Sequence, residues 1–304
     1  MPNRKNGKTR QKKPTVSIIG SGRLGMAMAM ALDSTGYRIT SLVGRRRPQV
    51  RKAATLLNLK LETLVAEDFD KYDAAELILV AVPDDRISEV AKALDRIQIV
   101  GQPTVLHTSG ALSSALFANL AGKGWHTGSI HPLASISNPV TGVEALRNVY
   151  WCIEGDSKAT RIARRIVRDL GARSFSIGAK DKPLYHAAAV MTSGNVVALF
   201  DVAMDMLERC GLSRREAQKI LLPLLQSTAM NLSHAEPRNA LTGTFARGDL
   251  STVKLHLASL QEKGLDEGLE LYRLLGKHAL DLTGRKIDRT ILEEIRRRLR
   301  DSGR

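Results

Sequence analysis

The chain has 304 residues, 43% of them apolar and only 4% aromatic, which is enough for two domains of ordinary size. Its formal charge is +15, but the excess sits at the ends. Residues 1–13 hold six Lys/Arg and no acid, residues 285–304 hold eight against four acids, and together the ends carry +10 of the total. The first 13 residues read as a disordered basic tail and the last 20 as a solvated helix face, so a nucleic-acid partner is not expected. The tail has no apolar stretch of the secretory kind. Cys152 and Cys210 have neither disulfide nor metal spacing, which fits a reducing cytoplasm. The charge-poor stretch Ala187–Phe200 is short for a membrane span and carries Thr192, Ser193 and Asn195 in its middle. It reads as a helix buried on every side, and no membrane partner is expected.

In chain order, short apolar runs predict strands at 15–19, 38–43, 61–65, 77–82, 103–107, 126–130, 149–153 and 173–177. Helical patterns lie between several of them, at 23–33, 48–57, 86–97, 113–121 and 157–170. Such alternation predicts a mostly parallel sheet with helices on both faces. Beyond Gly178 the strand signals stop, and helices are expected at about 182–210, 213–232, 249–263, 266–282 and 287–300. The expected division is therefore tail 1–13, α/β domain 14–178 and all-α domain 179–304. The apolar face of the helical part points to a homodimer formed through it.

The first strand runs straight into Gly20-Ser21-Gly22-Arg23-Leu24-Gly25 and then a helix, which is G-x-G-x-x-G in its strand–turn–helix context. In that setting the first glycine allows the tight turn, the second lets backbone approach a pyrophosphate and the third lets helix pack on strand. An anion then sits at the helix N-terminus. About 20 residues further on, where a carboxylate would bind the ribose 2′-hydroxyl of NAD, stand Gly44, Arg45, Arg46 and Arg47. Arginine there suits a 2′-phosphate, so Arg45 and Arg46 imply NADP(H). The strand 77–82 ends in Val82-Pro83-Asp84-Asp85, at the edge where ligands of doubly wound sheets lie. Val82, Pro83 and Asp84 are expected beside the cofactor, with the Asp84 or Asp85 side chain alternatively capping the next helix.

Two further strands end in His107-Thr108-Ser109-Gly110 and in His131-Pro132-Leu133 at the same edge. Hydride chemistry needs a proton donor or acceptor near the substrate's heteroatom, and His and Ser are suitable types. On the helix from Lys182, helical spacing puts Lys182, His186, Ala189 and Ser193 on one stripe. Ser109, His131, His186 and Ser193 are thus the candidates for substrate contact or proton transfer. Asp249 reads as a helix N-cap and Arg247 as a candidate anion clamp. No metal-binding pattern and no Walker A motif is present.

Taken together, Ile18–Gly25, Val82–Asp85, His107–Gly110, His131–Leu133, Tyr185–Ala189 and Leu241–Asp249 resemble a known group. It is the Rossmann-like proteins with a C-terminal helical domain of unknown function, of the 6-phosphogluconate-dehydrogenase C-terminal type. They are grouped with pyrroline-5-carboxylate reductase and deazaflavin-dependent NADP oxidoreductase. The resemblance covers about residues 15–282 and implies NADP binding and a dimer of helical domains. Relatives' catalytic patterns do not transfer: the Ser-Gly-Ser-Gly-Pro run of pyrroline-5-carboxylate reductases is here Met191-Thr192-Ser193-Gly194-Asn195. The lysine that β-hydroxyacid dehydrogenases carry four residues before an Asn is here Met191, and Lys182 stands too far up the helix to replace it. The reading is an NADP(H)-dependent oxidoreductase reducing a small imine or carbonyl metabolite in the cleft between its domains. A non-catalytic NADP(H)-binding regulatory or sensor protein is the alternative.

Overall fold

A computed structural model describes residues 12–72, 75–98, 101–284 and 287–300. It divides into two compact units, residues 1–191 and 192–304. The basic tail lies outside the described residues except for its last two. Of these, Lys13 is held: its ammonium donates to the Thr35 carbonyl and pairs with Asp169 at 3.1 Å.

The first unit is built on eight strands: β1 (Val16–Ile19), β2 (Ile39–Gly44), β3 (Glu62–Val65), β4 (Leu77–Val80), β5 (Thr104–His107), β6 (His126–Pro132), β7 (Tyr150–Gly155) and β8 (Arg173–Phe175). They form one sheet in the order β3-β2-β1-β4-β5-β6-β7-β8, parallel throughout except for the antiparallel β6–β7 pair. Helices α1 (Arg23–Ser34), α2 (Arg47–Leu57), α3 (Asp84–Arg96), α4 (Ala118–Gly122), α5 (Pro139–Ala145) and α6 (Ser157–Asp169) connect them, and α7 (Lys182–Met191) ends the unit. The chain reverses direction across the sheet between β1 and β4, so the ends of these two strands open a crevice at the switch point.

The central strand β4 is apolar at every position because both faces of the sheet are covered there. Successive side chains point to opposite faces. In β4, Leu77 and Leu79 join the core cluster under α1, α2 and α6, while Ile78 and Val80 join the one under α3 and α4. All four are fully buried. Ser17 and Ser41 inside the sheet satisfy each other: their hydroxyls meet at 2.7 Å, and the Tyr72 hydroxyl donates to Ser17 at 2.7 Å. Helix α5 was not expected. Asn138 caps it by accepting from the Val140 N–H at 2.8 Å, Pro139 occupies the first turn, and Gly142 lets it lie close to Ala27 of α1.

The second unit contains α8 (Gly194–Glu208), α9 (Arg214–His234), α10 (Pro237–Ala240), α11 (Thr244–Arg247), α12 (Leu250–Glu262), α13 (Asp266–Thr283) and α14 (Arg289–Arg300). Its core gathers Val253, Leu257, Leu260, Leu269, Leu280, Ile295 and Leu299. Asp249 caps α12, accepting from the Thr252 N–H at 3.1 Å. The long apolar helix expected at 182–210 is two helices, parted at Thr192–Ser193, and it is not buried on every side. Leu184, Met191 and Val197 are exposed by 77%, 61% and 70%. Length and composition alone would let the stretch Ala179–Glu208 cross a membrane.

Candidate functional site

The turn after β1 is packed as tightly as backbone permits. Gly20 has φ +125°, and a Cβ on it would lie 2.2 Å from the Ala81 carbonyl oxygen. A Cβ on Gly25 would lie 2.0 Å from the Gly20 carbonyl oxygen. Both glycines are therefore required by the protein's own packing. Gly22 is different: its φ is −77° and nothing lies within 4 Å of where its Cβ would be. Its lack of a side chain leaves room for something outside the chain. Gly22 is also the N-cap of α1, gives no side-chain hydrogen bond, and is followed by a first turn without acids. Those free N–H groups can take an anion.

At the end of β2, Ser21 packs against Gly44, where a Cβ would come within 2.7 Å of the Ser21 hydroxyl. The arginines beyond it divide. Arg47 is bound to Asp68 at 2.9 Å, while Arg45 and Arg46 are exposed and make no ion pair among the described residues. Arg23 is likewise exposed, and Leu24 packs inward on the core. The glycine turn can thus hold a dinucleotide's phosphates with two free guanidinium groups at the end of β2.

Asp84 does not cap α3 with its side chain. The helix begins at Asp84 itself, with Pro83 as N-cap and no side-chain cap. The carboxylate instead accepts from the Ser109 hydroxyl at 2.7 Å. That corrects the expectation for Ser109 as well, since its hydroxyl also accepts from the N–H groups of Ala111 at 3.2 Å and Leu112 at 3.0 Å. With its proton and both lone pairs engaged, Ser109 staples a loop rather than carrying protons.

His131 and His186 do come together, across 55 residues of sequence. Their rings cross at 5.5 Å in an edge-to-face arrangement. Both lean on Gly110, where a Cβ would come within 2.5 Å of the His186 ring and 2.9 Å of His131 Cε1 and Nε2. Nδ1 of His131 lies 2.7 Å from the Tyr185 hydroxyl, and Phe175 packs on the far side of Tyr185. Lys182 is fully buried under this cluster. Its ammonium donates to the Ser129 hydroxyl at 2.9 Å and the Ser109 carbonyl at 3.2 Å. Ser129 donates in turn to Glu154, which also accepts from the N–H and hydroxyl of Ser114. Lys182 is the residue that sequence reasoning dismissed. Its place in the stripe with His186 was the available signal, but which strand the stripe would face was not readable. Ser193 stands at the N-cap of α8, and Arg247 at the end of α11, both in the second unit.

Burial sets the protonation of this cluster. His131 is pushed down to about 4 by desolvation, with smaller contributions from His186, Lys182 and His107. His107 is likewise pushed down to about 4 by burial and then by Lys182. Lys182 is lowered by its own burial, and Tyr185 is raised by burial and by Cys152. At neutral pH the imidazoles of His131 and His107 are uncharged above one buried ammonium. A groove of about 1000 Å³ lies at the opposite edge of the sheet, beside Pro14, Tyr37, Glu76 and Thr104 just before or at the start of their strands. Among the described residues no group of three or more His, Cys, Asp or Glu is placed to hold a metal.

Comparisons with known proteins agree with this architecture. Residues 1–132 match the family model of a Rossmann-like domain, and residues 149–279 match that of a domain of unknown function, DUF2520. Together the two matches span most of the chain, and the DUF2520 match begins just before β7 of the sheet. It is similar to the glycerol-3-phosphate dehydrogenase [NAD(P)+] of Paramagnetospirillum magneticum, 24% identical over 253 residues, 77% of this chain and 87% of that relative. Among solved structures it shares its fold with a Bacteroides fragilis protein described as an NADP oxidoreductase (TM-score 0.71, 21% identity, 88% of this chain and 98% of that one). It is also similar to the reductive aminase of Aspergillus terreus in complex with NADPH and ethyl levulinate (TM-score 0.64, 17%, 93% and 99%). A third is the pyrroline-5-carboxylate reductase of Coxiella burnetii (TM-score 0.57, 16%, 96% and 100%).

Two tests follow from the geometry. Gly25→Ala, which drives a Cβ into backbone, lowers unfolding stability by about 3 kcal/mol. Gly22→Ala leaves it within about 1 kcal/mol but weakens dinucleotide binding; denaturant melts and a nucleotide titration separate the two. For pH, a histidine whose folded value lies below the unfolded one binds fewer protons when folded. Stability is therefore complete above about pH 6.5 and falls as pH drops from there to about 4. The fully buried His107 accounts for about 3 kcal/mol of that fall, at about 1.4 kcal/mol per pH unit, and His107→Gln flattens the curve of stability against pH.

Proposed function

We propose that the chain is an NADP(H)-dependent oxidoreductase that reduces a carbonyl or imine of a small metabolite. The observation that carries this reading is the pairing, at one edge of one sheet, of two features. One is a glycine turn with open space at Gly22 and free arginines at 45 and 46. The other is the imidazole pair of His131 near the end of β6 and His186 in the middle of α7. The NADP oxidoreductase of Bacteroides fragilis and the NADPH complex of the Aspergillus terreus reductive aminase give it further support.

In this reading Gly20, Ser21, Gly22 and Gly25 form the pyrophosphate cradle, with the N-terminus of α1 facing its charge. Arg23 lies at its rim and Leu24 anchors the helix to the core. Arg45 and Arg46 bind the 2′-phosphate, for which guanidinium offers paired donors. Val82 and Pro83 line the nicotinamide side, and Asp84 fixes the loop through Ser109. When bound, the cofactor supplies the hydride. His131 and His186 hold the substrate's heteroatom where negative charge develops on reduction. Ser109 and Lys182 support them, and Ser193 is kept as a candidate for substrate contact. Screening NADPH consumption across aldehydes, keto acids and imines tests the activity. A substrate found in this way should lose at least about a hundredfold in kcat/KM with His131→Ala or His186→Ala. Tight NADPH binding without turnover of any class would favour a non-catalytic binding protein instead.

We further infer a homodimer through the helical part. Leu184, Met191, Val197, Leu224, Met230 and Leu255 are each more than half exposed. Apolar surface on that scale marks an interface. Sedimentation should give twice the chain mass, and Val197→Glu with Leu224→Glu should give monomers. A wild-type monomer would contradict this.

A further inference from the structure

We infer that Tyr185 is a positioning residue that fixes His131 as the tautomer carrying its proton on Nε2, so that the site presents an uncharged N–H donor beside Gly110. The inference rests on the reductase reading for its purpose but not for its test.

The Tyr185 hydroxyl has one proton and two neighbours able to accept it. One is Nδ1 of His131, hydrogen-bonded to it at 2.7 Å, and the other is the Cys152 side chain, which lies within electrostatic reach of the same hydroxyl. Cys152 stands directly opposite His131 in the antiparallel β6–β7 pair, so α7 delivers Tyr185 to both at once. An imidazole nitrogen is a far stronger acceptor than a thiol sulfur, and a thiol can itself donate weakly. The consistent arrangement is Cys152 S–H to the Tyr185 oxygen and Tyr185 O–H to Nδ1. An uncharged His131 then has only Nε2 left for its own proton. Gly110 leaves that nitrogen uncovered: a Cβ there would be 2.9 Å from Nε2.

The groups around His131 keep it uncharged. Burial does so first, then His186 and Lys182 on α7 and His107 on β5; the other titratable groups about the cluster are Cys152 and Glu154 on β7, Tyr185 on α7, and Asp84, which reaches the same floor through Ser109. The nearest charge beneath it is the Lys182 ammonium, which disfavours a second cation. Such an imidazole donates a hydrogen bond and gives up no proton, so the proton that completes the alcohol or amine after hydride addition comes from solvent water. It can stabilise oxygen or nitrogen that gains electron density on hydride addition. The substrate must then offer a lone pair, as a carbonyl oxygen or an unprotonated imine nitrogen does. A preformed iminium cation has none to offer and gains nothing from this donor.

Nitrogen-15 NMR of the histidine-labelled full-length protein tests this without a substrate. At pH 7 His131 should show protonated Nε2 and bare Nδ1. Tyr185→Phe, which removes only the hydroxyl, should populate the Nδ1–H form. A wild-type His131 protonated on Nδ1, or on both nitrogens, overturns the inference, as does a tautomer unmoved in Tyr185→Phe. The wild-type spectrum decides even if the variant does not fold. With a substrate from the screen, Tyr185→Phe should lower kcat roughly tenfold or more and leave KM near its wild-type value. An Nε2–H tautomer in a protein that reduces nothing contradicts the proposed activity and leaves this inference standing; reduction by a protein with the Nδ1–H tautomer does the reverse.

Discussion

The structure depends on a strip of backbone without side chains along the carboxyl edge of the sheet. Gly20 crosses against the Ala81 carbonyl, Gly25 sits on the Gly20 carbonyl, and Gly110 lies under two imidazoles. Each approach is closer than any Cβ would allow. The first two bring α1 down onto the ends of β1 and β4 and fix where its free N–H groups point. The third sets the depth of His131 and His186 relative to the same edge. The sheet tolerates this crowding because β1, β4 and β5 are buried on both faces and have no freedom to relax.

Charge is distributed along that edge in a way that suits a long anionic ligand with an uncharged reacting end. Arg45 and Arg46 stand exposed at the β2 end, while Arg47 is withdrawn by Asp68. At the β6 end the His131 ring is half-buried and uncharged, and Lys182 lies beneath it, tied to the Ser109 carbonyl and to Ser129 of β6. Desolvation is the largest cause of the low His131 and His107 values, so the protonation of the site follows from its packing.

The strands were legible in the sequence because burial on two faces writes itself as unbroken apolar runs such as Leu77–Val80. The glycine turn was legible because its spacing is local. What escaped depends on distant pairings. Lys182 reaches Ser109 across 73 residues, and the Ser109–Asp84 bond spans 25. No periodicity announces either, and a lone Asp before a helix reads as a cap whether or not it is one. Helix α5 was missed although Asn138-Pro139 is a helix-start signal, because seven residues with a central glycine show no helical period. The exposure of α7 and α8 was misread because an apolar helix looks the same in sequence whether its own chain or a second copy covers it.

The claim that the crevice holds NADP(H) through the glycine turn and two free arginines is tested most directly by calorimetric titration of NADPH and NADH into the wild-type protein and an Arg45→Ala/Arg46→Ala variant. The account predicts tighter binding of NADPH than NADH in the wild type, and a variant in which that preference is lost while NADH binding changes little. Equal or tighter NADH binding by the wild type, or an unchanged preference in the variant, would contradict it.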